Sequence, residues 1–220
     1  MQRVPQVELL DSDGGNPEEI STSLRDLWLI NRAFGGVSTS LRLIEQVARE
    51  ASVARISLLE VASGDGAVQK AVQNKLKRNS IDLRITLLDR SRSHLNGSSH
   101  AVAGDAIALP FSSGSFDVVS STLFVHHLMP EAVCQFMNEA LRVCRVAVII
   151  NDLIRNPMHL ALVYAGLPLF RSRLTWNDAP ASVRQAYTLQ EMRTLLESTP
   201  ASRVEFSRHY LFRMGVIAWK

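Results

Sequence analysis

The sequence predicts an α/β fold in which a mostly parallel sheet of seven strands lies between two layers of helices, a three-layer α/β/α sandwich. Short apolar runs at residues 56–61, 83–88, 101–103, 116–121 and 146–150 alternate with segments of helical spacing. Such alternation is typical of a parallel sheet with right-handed crossovers. Residues 203–206 and 210–219 predict a closing antiparallel strand pair, with Arg208 and His209 near its turn. A chain of 220 residues suits one domain with its own core.

The N-terminal part is predicted to be helical. Residues 11–16 form a polar, glycine-rich stretch, and Pro17-Glu18-Glu19 suits a helix start because proline and carboxylates are favourable there. This helix is expected to end near Gly35-Gly36. A second helix, beginning at Ser38 or Thr39, then carries an apolar stripe that suits core packing.

A glycine turn follows the first predicted strand. Residues 62–66 read Ala-Ser-Gly-Asp-Gly, and helical spacing resumes at residues 68, 72 and 76. Glycine allows positive φ and a close approach to a ligand, and the amides that open the helix suit an anionic group. The turn indicates a nucleotide-type pocket, although a glycine turn is also a common way to enter any helix.

Two further acidic residues follow strand ends. Asp89 closes the second strand, where doubly wound folds place an acidic residue that binds ribose hydroxyls. Asp105 lies in the segment Gly-Asp-Ala at residues 104–106, which precedes Leu-Pro-Phe and a new turn at Gly114-Ser115.

These motifs resemble the class I S-adenosylmethionine-dependent methyltransferases of the small-molecule type, such as those of ubiquinone and menaquinone biosynthesis, which have a Rossmann-like fold. Glu60 and the glycine turn match the family's first motif, with Ala62 in place of its first glycine. Residues 104–119 look like its adenine-binding segment and fourth strand, and the resemblance covers residues 41–152. It implies that Glu60 and the Gly64 to Gly66 turn hold the methionine part of the cofactor, Asp89 the ribose and Asp105 the adenine amine. The complete cofactor set that it implies is Arg32, Glu60, Ala62, Ser63, Gly64, Gly66, Asp89, Arg90, Asp105, Ala106 and Ser121.

The resemblance also implies a division of the single domain. Residues 1–37 are expected to form a helical lid, residues 38–152 the cofactor-binding core, residues 153–200 an acceptor-site insertion with helices, and residues 201–220 the closing strands. The stretch 31–36 suits either the lid edge or a helix C-terminus. Within the insertion, residues 157–170 predict an apolar helix interrupted by Gly166 and Pro168, residues 171–180 a loop, and a helix begins near Thr188. Its apolar and aromatic side chains suit a hydrophobic acceptor, at Leu160, Leu162, Tyr164, Leu167, Leu169, Phe170 and Trp176.

Candidate catalytic residues follow the fourth and fifth strands. His126 and His127 come shortly after the fourth strand, and histidine has a pKa suited to removing a proton near neutrality. Neighbouring residues point in different directions, so one of the two is expected to act, preferentially His127. Asp152 follows the fifth strand and is predicted to orient that histidine, to bind the acceptor or to cap the next segment. Many relatives have a proline-glycine-glycine turn before this strand, and Arg145 stands there instead.

Composition excludes several other classes. A net charge of +3 with scattered basic residues argues against a nucleic-acid partner. Cys134 and Cys144 lack metal-ligand spacing and are expected to be buried thiols in a reducing cytoplasm, so no metal site is predicted. No apolar run reaches the roughly 18 residues of a membrane span, and the N-terminus lacks the apolar core of a secretory signal. We expect a cytoplasmic monomer or homodimer.

The sequence therefore predicts O-methylation of a small phenolic or quinone-like acceptor in secondary or cofactor metabolism, with S-adenosylmethionine as cofactor and S-adenosylhomocysteine as product. Two alternatives remain. A nicotinamide-dependent oxidoreductase would also use the glycine turn and Asp89, but it would leave the Asp105 segment unexplained. A binding protein that has kept the fold without catalysis would explain Ala62 and the altered turn at Arg145.

Overall fold

The computed structural model describes residues 1–10, 15–95 and 100–220, so the predicted polar loop at residues 11–16 lies mainly outside the described residues. The helices are α1 (Pro17–Ala33), α2 (Gly36–Glu50), α3 (Ala67–Arg78), α4 (Pro130–Val143), α5 (Pro157–Gly166), α6 (Arg173–Gln185) and α7 (Leu189–Leu196). The strands are β1 (Arg55–Val61), β2 (Asp82–Asp89), β3 (Ala101–Ala103), β4 (Phe116–Thr122), β5 (Cys144–Leu153), β6 (Arg203–His209) and β7 (Arg213–Trp219). Short 3₁₀ turns occur at Arg92–Leu95, Val125–His127 and Leu167–Leu169.

All seven strands belong to one sheet, with the order β3-β2-β1-β4-β5-β7-β6. Strands β1 to β5 pair in parallel, whereas β7 pairs antiparallel with both β5 and β6. The predicted three-layer fold with a closing antiparallel pair is confirmed. Because β1, β2, β4 and β5 run the same way, the residues at their carboxyl ends meet at one edge of the sheet.

The two faces of the sheet form two hydrophobic cores. Leu58 packs with the buried stripes of α2 and α3, while its neighbour Leu59 packs with α4 and α7 on the opposite face. Adjacent strand residues point to opposite faces, so a continuous apolar run such as the one in β1 is what a doubly covered strand requires.

Helices α1, α5 and α6 lie over the carboxyl edge of the sheet. Helix α6 packs against both of the others, and the N-terminal residues 1–10 run beside it, where Val4 donates its N–H to the carbonyl of Arg184. These segments form a roof over the strand ends, and the space below the roof is the candidate site.

The loop predicted at residues 171–180 is wrong, because α6 begins at Arg173 and continues through Pro180. Proline normally ends a helix by removing one N–H donor. Here the helix start is strongly capped. The Ser172 hydroxyl accepts the Leu174 N–H, and the buried carboxylate of Asp26 accepts the N–H groups of Arg171 and Ser172.

The connection from α4 to β5 contains no loop, because β5 begins at Cys144, directly after the last residue of α4. Arg145 then bonds Asp117 at 2.9 Å and the carbonyl of Gly114 at 2.7 Å, which ties β5 to the start of β4. Strand β6 extends to His209, and Tyr210 lies in the turn rather than in β7 as predicted. Cys144 is buried, and burial raises the pKa of its thiol to about 11, whereas Cys134 is only partly buried.

None of the helices in the described ranges combines the length and apolar composition needed to cross a bilayer.

Candidate active site

A cavity of about 1230 Å³ lies between the carboxyl edge of the sheet and its roof. Its floor comes from the ends of β1, β2 and β4, and its roof comes from α1, α5 and α6 with residues of the N-terminal segment. Ligand pockets for one small molecule usually occupy roughly 300 to 1,000 Å³. The cavity is therefore large enough for a cofactor and a second small molecule.

The glycine turn and the end of β2 are joined at one end of the cavity. Asp89 accepts the N–H of Gly64 with Oδ2 at 2.9 Å and the N–H of Ser91 with Oδ1 at 2.9 Å. The Ser63 N–H donates to the carbonyl of Leu88 at 3.0 Å. These bonds fix the turn against β2. The glycine turn after β1 and Asp89 at the end of β2 therefore form one structural unit.

Three residues of the turn have left-handed backbone conformations, with φ of +54° at Ala62, +52° at Gly64 and +70° at Gly66. Ala62, which replaces the first glycine of the motif, thus adopts a left-handed backbone that glycine adopts more readily. This conformation costs alanine about 1 to 2 kcal/mol of conformational free energy. A Cβ built on Gly64 would meet no described atom within 4 Å, whereas one on Gly66 would lie 2.7 Å from a methyl carbon of Leu87. Gly64 borders open space and Gly66 borders the core.

Glu60 is a buried carboxylate beside this turn. Its Oε2 accepts a hydrogen bond from the Ser120 hydroxyl, and its Oε1 has no hydrogen-bond partner among the described residues. Burial raises the pKa of Glu60 to about 7, against the opposing effect of hydrogen bonds from Ser120 and Thr122. The side chain lines the cavity and is suited to a cationic group that would complete its bonding.

The segment with Asp105 and Ala106 lines the same end of the cavity. Asp105 is exposed, and its Oδ1 accepts the Ile107 N–H at 3.1 Å. The following loop is held by α4, because Glu139 accepts the Leu109 N–H and Arg142 donates to the carbonyl of Phe111. The Asp105 carboxylate is thus presented on a fixed loop at the cavity surface.

The other end of the cavity contains a buried histidine and aspartate pair. The Asp152 carboxylate accepts the His126 backbone N–H at 3.0 Å and lies 2.6 Å from His126 Nδ1. Burial opposes the charge of His126, but the carboxylates of Asp152 and Glu8 outweigh burial and raise its pKa to about 10. Burial also works against ionisation of Asp152, yet His126 holds the pKa of that carboxyl below its usual range. Asp152 thus contacts His126 and not His127, the histidine that the sequence analysis prefers as the base.

His127 is the more accessible of the two histidines. Its side chain is 18% exposed and that of His126 only 2%. The two rings lie 4.1 Å apart, and Phe124 stacks on His127 from the other side at 6.4 Å. Both histidines line the cavity, so the predicted proximity of one imidazole to a ligand is consistent with the structure.

Sequence reasoning missed Glu8, which reaches the histidines from the N-terminal segment. Glu8 Oε1 lies 3.6 Å from His126 Nε2 and 4.0 Å from His127 Nε2. Arg3 holds the segment in place by donating to the carbonyls of His126 and Leu128 at 3.0 and 2.9 Å. No local motif marks Glu8, because its importance comes only from the folded path of residues 1–10.

Arg213 was also missed. Its side chain is fully buried at the start of β7, lines the cavity and donates to Asn31 Oδ1 at 3.0 Å and to the carbonyl of Phe34 at 3.3 Å. Burial lowers its pKa to about 10, and the Asp152 carboxylate counteracts part of this effect. The guanidinium joins the end of α1 to the sheet.

Most of the predicted site residues line the cavity, namely Glu60, Ala62, Ser63, Gly64, Asp89, Arg90, Asp105, Ala106, His126 and His127. Four do not: Arg32 is exposed beside the cavity-lining Asn31, Ser121 is buried in the sheet beside the cavity-lining Thr122, Gly66 packs on Leu87, and Asp152 lies behind His126. Of the apolar side chains predicted for the acceptor site, Leu162, Leu169 and Phe170 line the cavity.

Comparison with known proteins gives a family for the central part of the chain. Residues 59–150 match the methyltransferase domain family. The plantazolicin methyltransferase BpumL in complex with SAH is structurally similar, with a TM-score of 0.73, 14% identity, and coverage of 97% of this chain and 94% of that chain. Human N-acetylserotonin methyltransferase in complex with SAM gives a TM-score of 0.66 at 15% identity, with 99% of this chain and 60% of that chain covered. A SAM-dependent methyltransferase from Aquifex aeolicus gives 0.56 at 16% identity, with 80% and 88% covered.

A search of curated protein sequences gives no match. The predicted resemblance is nevertheless confirmed by the domain match, and the fold is that of the class I methyltransferases. The nicotinamide alternative gains no support from these comparisons.

The two glycines of the turn should respond differently to alanine. Gly64→Ala should lower the free energy of unfolding by about 1 kcal/mol, the cost of left-handed backbone alone. Gly66→Ala should lower it by about 2 to 4 kcal/mol, because the new methyl also overlaps Leu87. Urea unfolding followed by circular dichroism measures both, and equal losses would contradict the assignment of Gly66 to the core.

Proposed function

We propose that this chain, which carries a methyltransferase domain of the class I fold, transfers the methyl group of S-adenosylmethionine to the oxygen of a small phenolic or quinone-like acceptor. One observation carries the proposal. A single cavity has the glycine turn, Glu60, Asp89 and Asp105 at one end and the histidine pair at the other. A methyl donor at the first end and an acceptor at the second would meet in the middle.

The first end fits the cofactor's polar groups. The Glu60 oxygen without a hydrogen bond in the described part of the chain suits the amino group of the methionine part. The Asp89 carboxylate suits the ribose hydroxyls, and open space beside Gly64 admits a ligand close to the backbone. S-adenosylmethionine supplies an electrophilic methyl carbon bonded to a positively charged sulfur. That two of the similar structures contain SAM or SAH supports the same choice of cofactor.

The second end fits an apolar acceptor with one hydroxyl. Leu162, Leu169 and Phe170 supply apolar surface, and Phe124 supplies an aromatic face. His127 is the histidine that can reach an acceptor, since His126 is buried and directs Nδ1 at Asp152. His127 would take the hydroxyl proton or orient the hydroxyl, while the roof segments exclude water. A small acceptor is supported by the cavity volume of about 1230 Å³, which cofactor and acceptor would share.

Cofactor binding is the first test. We expect micromolar binding of S-adenosylmethionine and S-adenosylhomocysteine, no binding of NADH, and at least tenfold weaker binding in Asp89→Ala, which loses acceptors for two hydroxyls. Isothermal titration calorimetry measures this. Asp82→Ala is the matched control because Asp82 begins the same strand and is exposed. If neither S-adenosylmethionine nor S-adenosylhomocysteine binds, the non-catalytic alternative is favoured.

A second prediction concerns turnover. His127→Ala should lower kcat by about 10² to 10⁴, the usual contribution of a positioned acid–base group, with cofactor affinity nearly unchanged. His100→Ala is the control, since His100 is exposed and does not line the cavity. The measurement is steady-state methylation of an acceptor found in a phenol screen. A raised KM with unchanged kcat would indicate orientation of the acceptor, and unchanged kinetics would remove His127 from the mechanism.

A third prediction concerns pH. The Glu60 pKa of about 7 lies above its ordinary value, so the carboxyl becomes protonated as pH falls below 7 and no longer attracts a cationic amino group. Affinity for S-adenosylhomocysteine should therefore fall by roughly an order of magnitude between pH 7.5 and pH 6. Titrations of wild type and Glu60→Gln at both pH values test this, and an equal pH dependence in the two proteins would exclude Glu60 as the cause.

A further inference from the structure

Three potential metal ligands meet at the acceptor end of the cavity. His126, His127 and Glu8 each offer one donor atom, and the three atoms lie within 4.8 Å of one another. Glu8 Oε1 is 3.6 Å from His126 Nε2 and 4.0 Å from His127 Nε2. In a tetrahedral site with metal–ligand distances of about 2.0 to 2.2 Å, two ligand atoms are about 3.4 Å apart. The Glu8–His126 pair is already near that spacing, the Glu8–His127 pair exceeds it by about 0.6 Å, and the two histidine nitrogens lie within 4.8 Å of each other, so a bound ion would draw the side chains closer together.

The orientation of His126 matches that of a metal ligand. Histidine ligands typically use their second ring nitrogen to bond a carboxylate, which fixes the ring. Asp152 does this for His126, with Oδ1 2.6 Å from Nδ1. The remaining nitrogen, Nε2, is directed at Glu8 and has no hydrogen-bond partner among the residues that the structure describes. The His126 side chain is only 2% exposed, and Glu8 Oε1, 3.6 Å from Nε2, is too distant for a hydrogen bond. A buried nitrogen without a hydrogen bond is costly unless a ligand completes its bonding.

Glu8 is held beside the histidines by α6. Its Oε1, the oxygen that also lies nearest to the two histidines, accepts hydrogen bonds from the Ser182 hydroxyl at 2.5 Å and from the Gln185 amide at 2.7 Å, so a metal ion bound at Oε1 would displace one of these bonds. These bonds keep a buried carboxylate next to the histidines, although Asp152 already brings one negative charge to the same place. The cluster thus combines two imidazoles with two carboxylates.

We propose that Glu8, His126 and His127 bind a divalent transition-metal ion of the Zn²⁺ and Co²⁺ type. Two imidazole nitrogens and one carboxylate oxygen are ligands that zinc prefers, and magnesium and calcium favour sites made of oxygen alone. Three protein ligands leave a fourth position open, as in catalytic zinc sites. The partial exposure of His127 places that opening toward the cavity.

This inference deepens the proposed function and, for its chemistry, rests on it. An acceptor hydroxyl at the open position would coordinate through oxygen, which lowers its pKa and lets its proton leave to water. The oxygen then forms a bond to the methyl carbon while the carbon–sulfur bond breaks, and that electron pair stays on sulfur. In this state His127 is a ligand rather than a base.

Metal binding can be tested without any methylation assay. The purified chain is stripped with a chelator and titrated with Zn²⁺ in the calorimeter, and with Co²⁺ by its visible absorption. We expect one ion per chain, with affinity lowered at least tenfold in Glu8→Gln and in His127→Asn, and lowered tenfold to a hundredfold in Asp152→Asn. His159→Asn is the matched control, because His159 lines the same cavity and bonds the carbonyl of Ile154 outside the cluster.

The outcomes separate this inference from the proposed function. Zn²⁺ binding that depends on Glu8 and His127 but not on His159 supports the site, even if no methyl cofactor binds. No Zn²⁺ binding by the wild type, or equal affinity in wild type and in both Glu8→Gln and His127→Asn, overturns it, even if S-adenosylmethionine binds. Because His127 is partly exposed, its variant tests the site even where Glu8→Gln fails to fold.

Discussion

The buried carboxylate of Asp152 is the interaction on which the acceptor end depends. Its two oxygens accept the backbone N–H groups of His126 and Leu153 and contact His126 Nδ1. A carboxylate that is 1% exposed requires such complete bonding, because an unpaired buried charge is very unfavourable. Asp152 occupies its place because β5 pairs with β4 on one side and β7 on the other. The sheet therefore sets the direction of the His126 ring, and α6 holds Glu8 next to it.

The roof is attached to the sheet by buried polar contacts rather than by apolar packing alone. Arg213 joins the end of α1 to β7. Beside it, Asn151 fixes the start of α2, the helix that follows α1, by donating to the carbonyl of Gly36 and to Ser40 at 2.8 Å each. Each contact replaces hydration that these groups lose on burial. The N-terminal segment is held by long-range contacts of Arg3 with the turn after β4 and of Glu8 with α6. The covered cavity therefore depends on residues from both ends of the chain.

The cofactor end could be predicted from sequence because its determinants are local. Glu60, Asp89 and Asp105 each follow a short apolar run, and parallel strands bring such positions together whatever the rest of the chain does. Ala62 keeps the left-handed backbone of the glycine that it replaces, so the motif survives the substitution. The helix through Pro180 could not be predicted, because proline disfavours a helix interior and the residues just before the helix are fixed by Asp26, which lies far away in sequence. The position of Glu8 could not be predicted either, because its partners Ser182 and Gln185 also lie far away in sequence.

The two ends of the cavity differ in how strongly the fold determines them. The cofactor end is built largely from backbone and from single residues at strand ends, so the fold itself nearly determines it. The acceptor end is built from side chains of the N-terminal segment, of the turn after β4, and of α5 and α6, none of which the sheet pairing determines. Substitutions in those segments can reshape the acceptor space while the strand ends keep their places. Chains of this fold can therefore share one methyl donor and differ in acceptor. Under the proposed function, the choice of acceptor in this chain would depend on residues 1–10, the turn after β4, and helices α5 and α6.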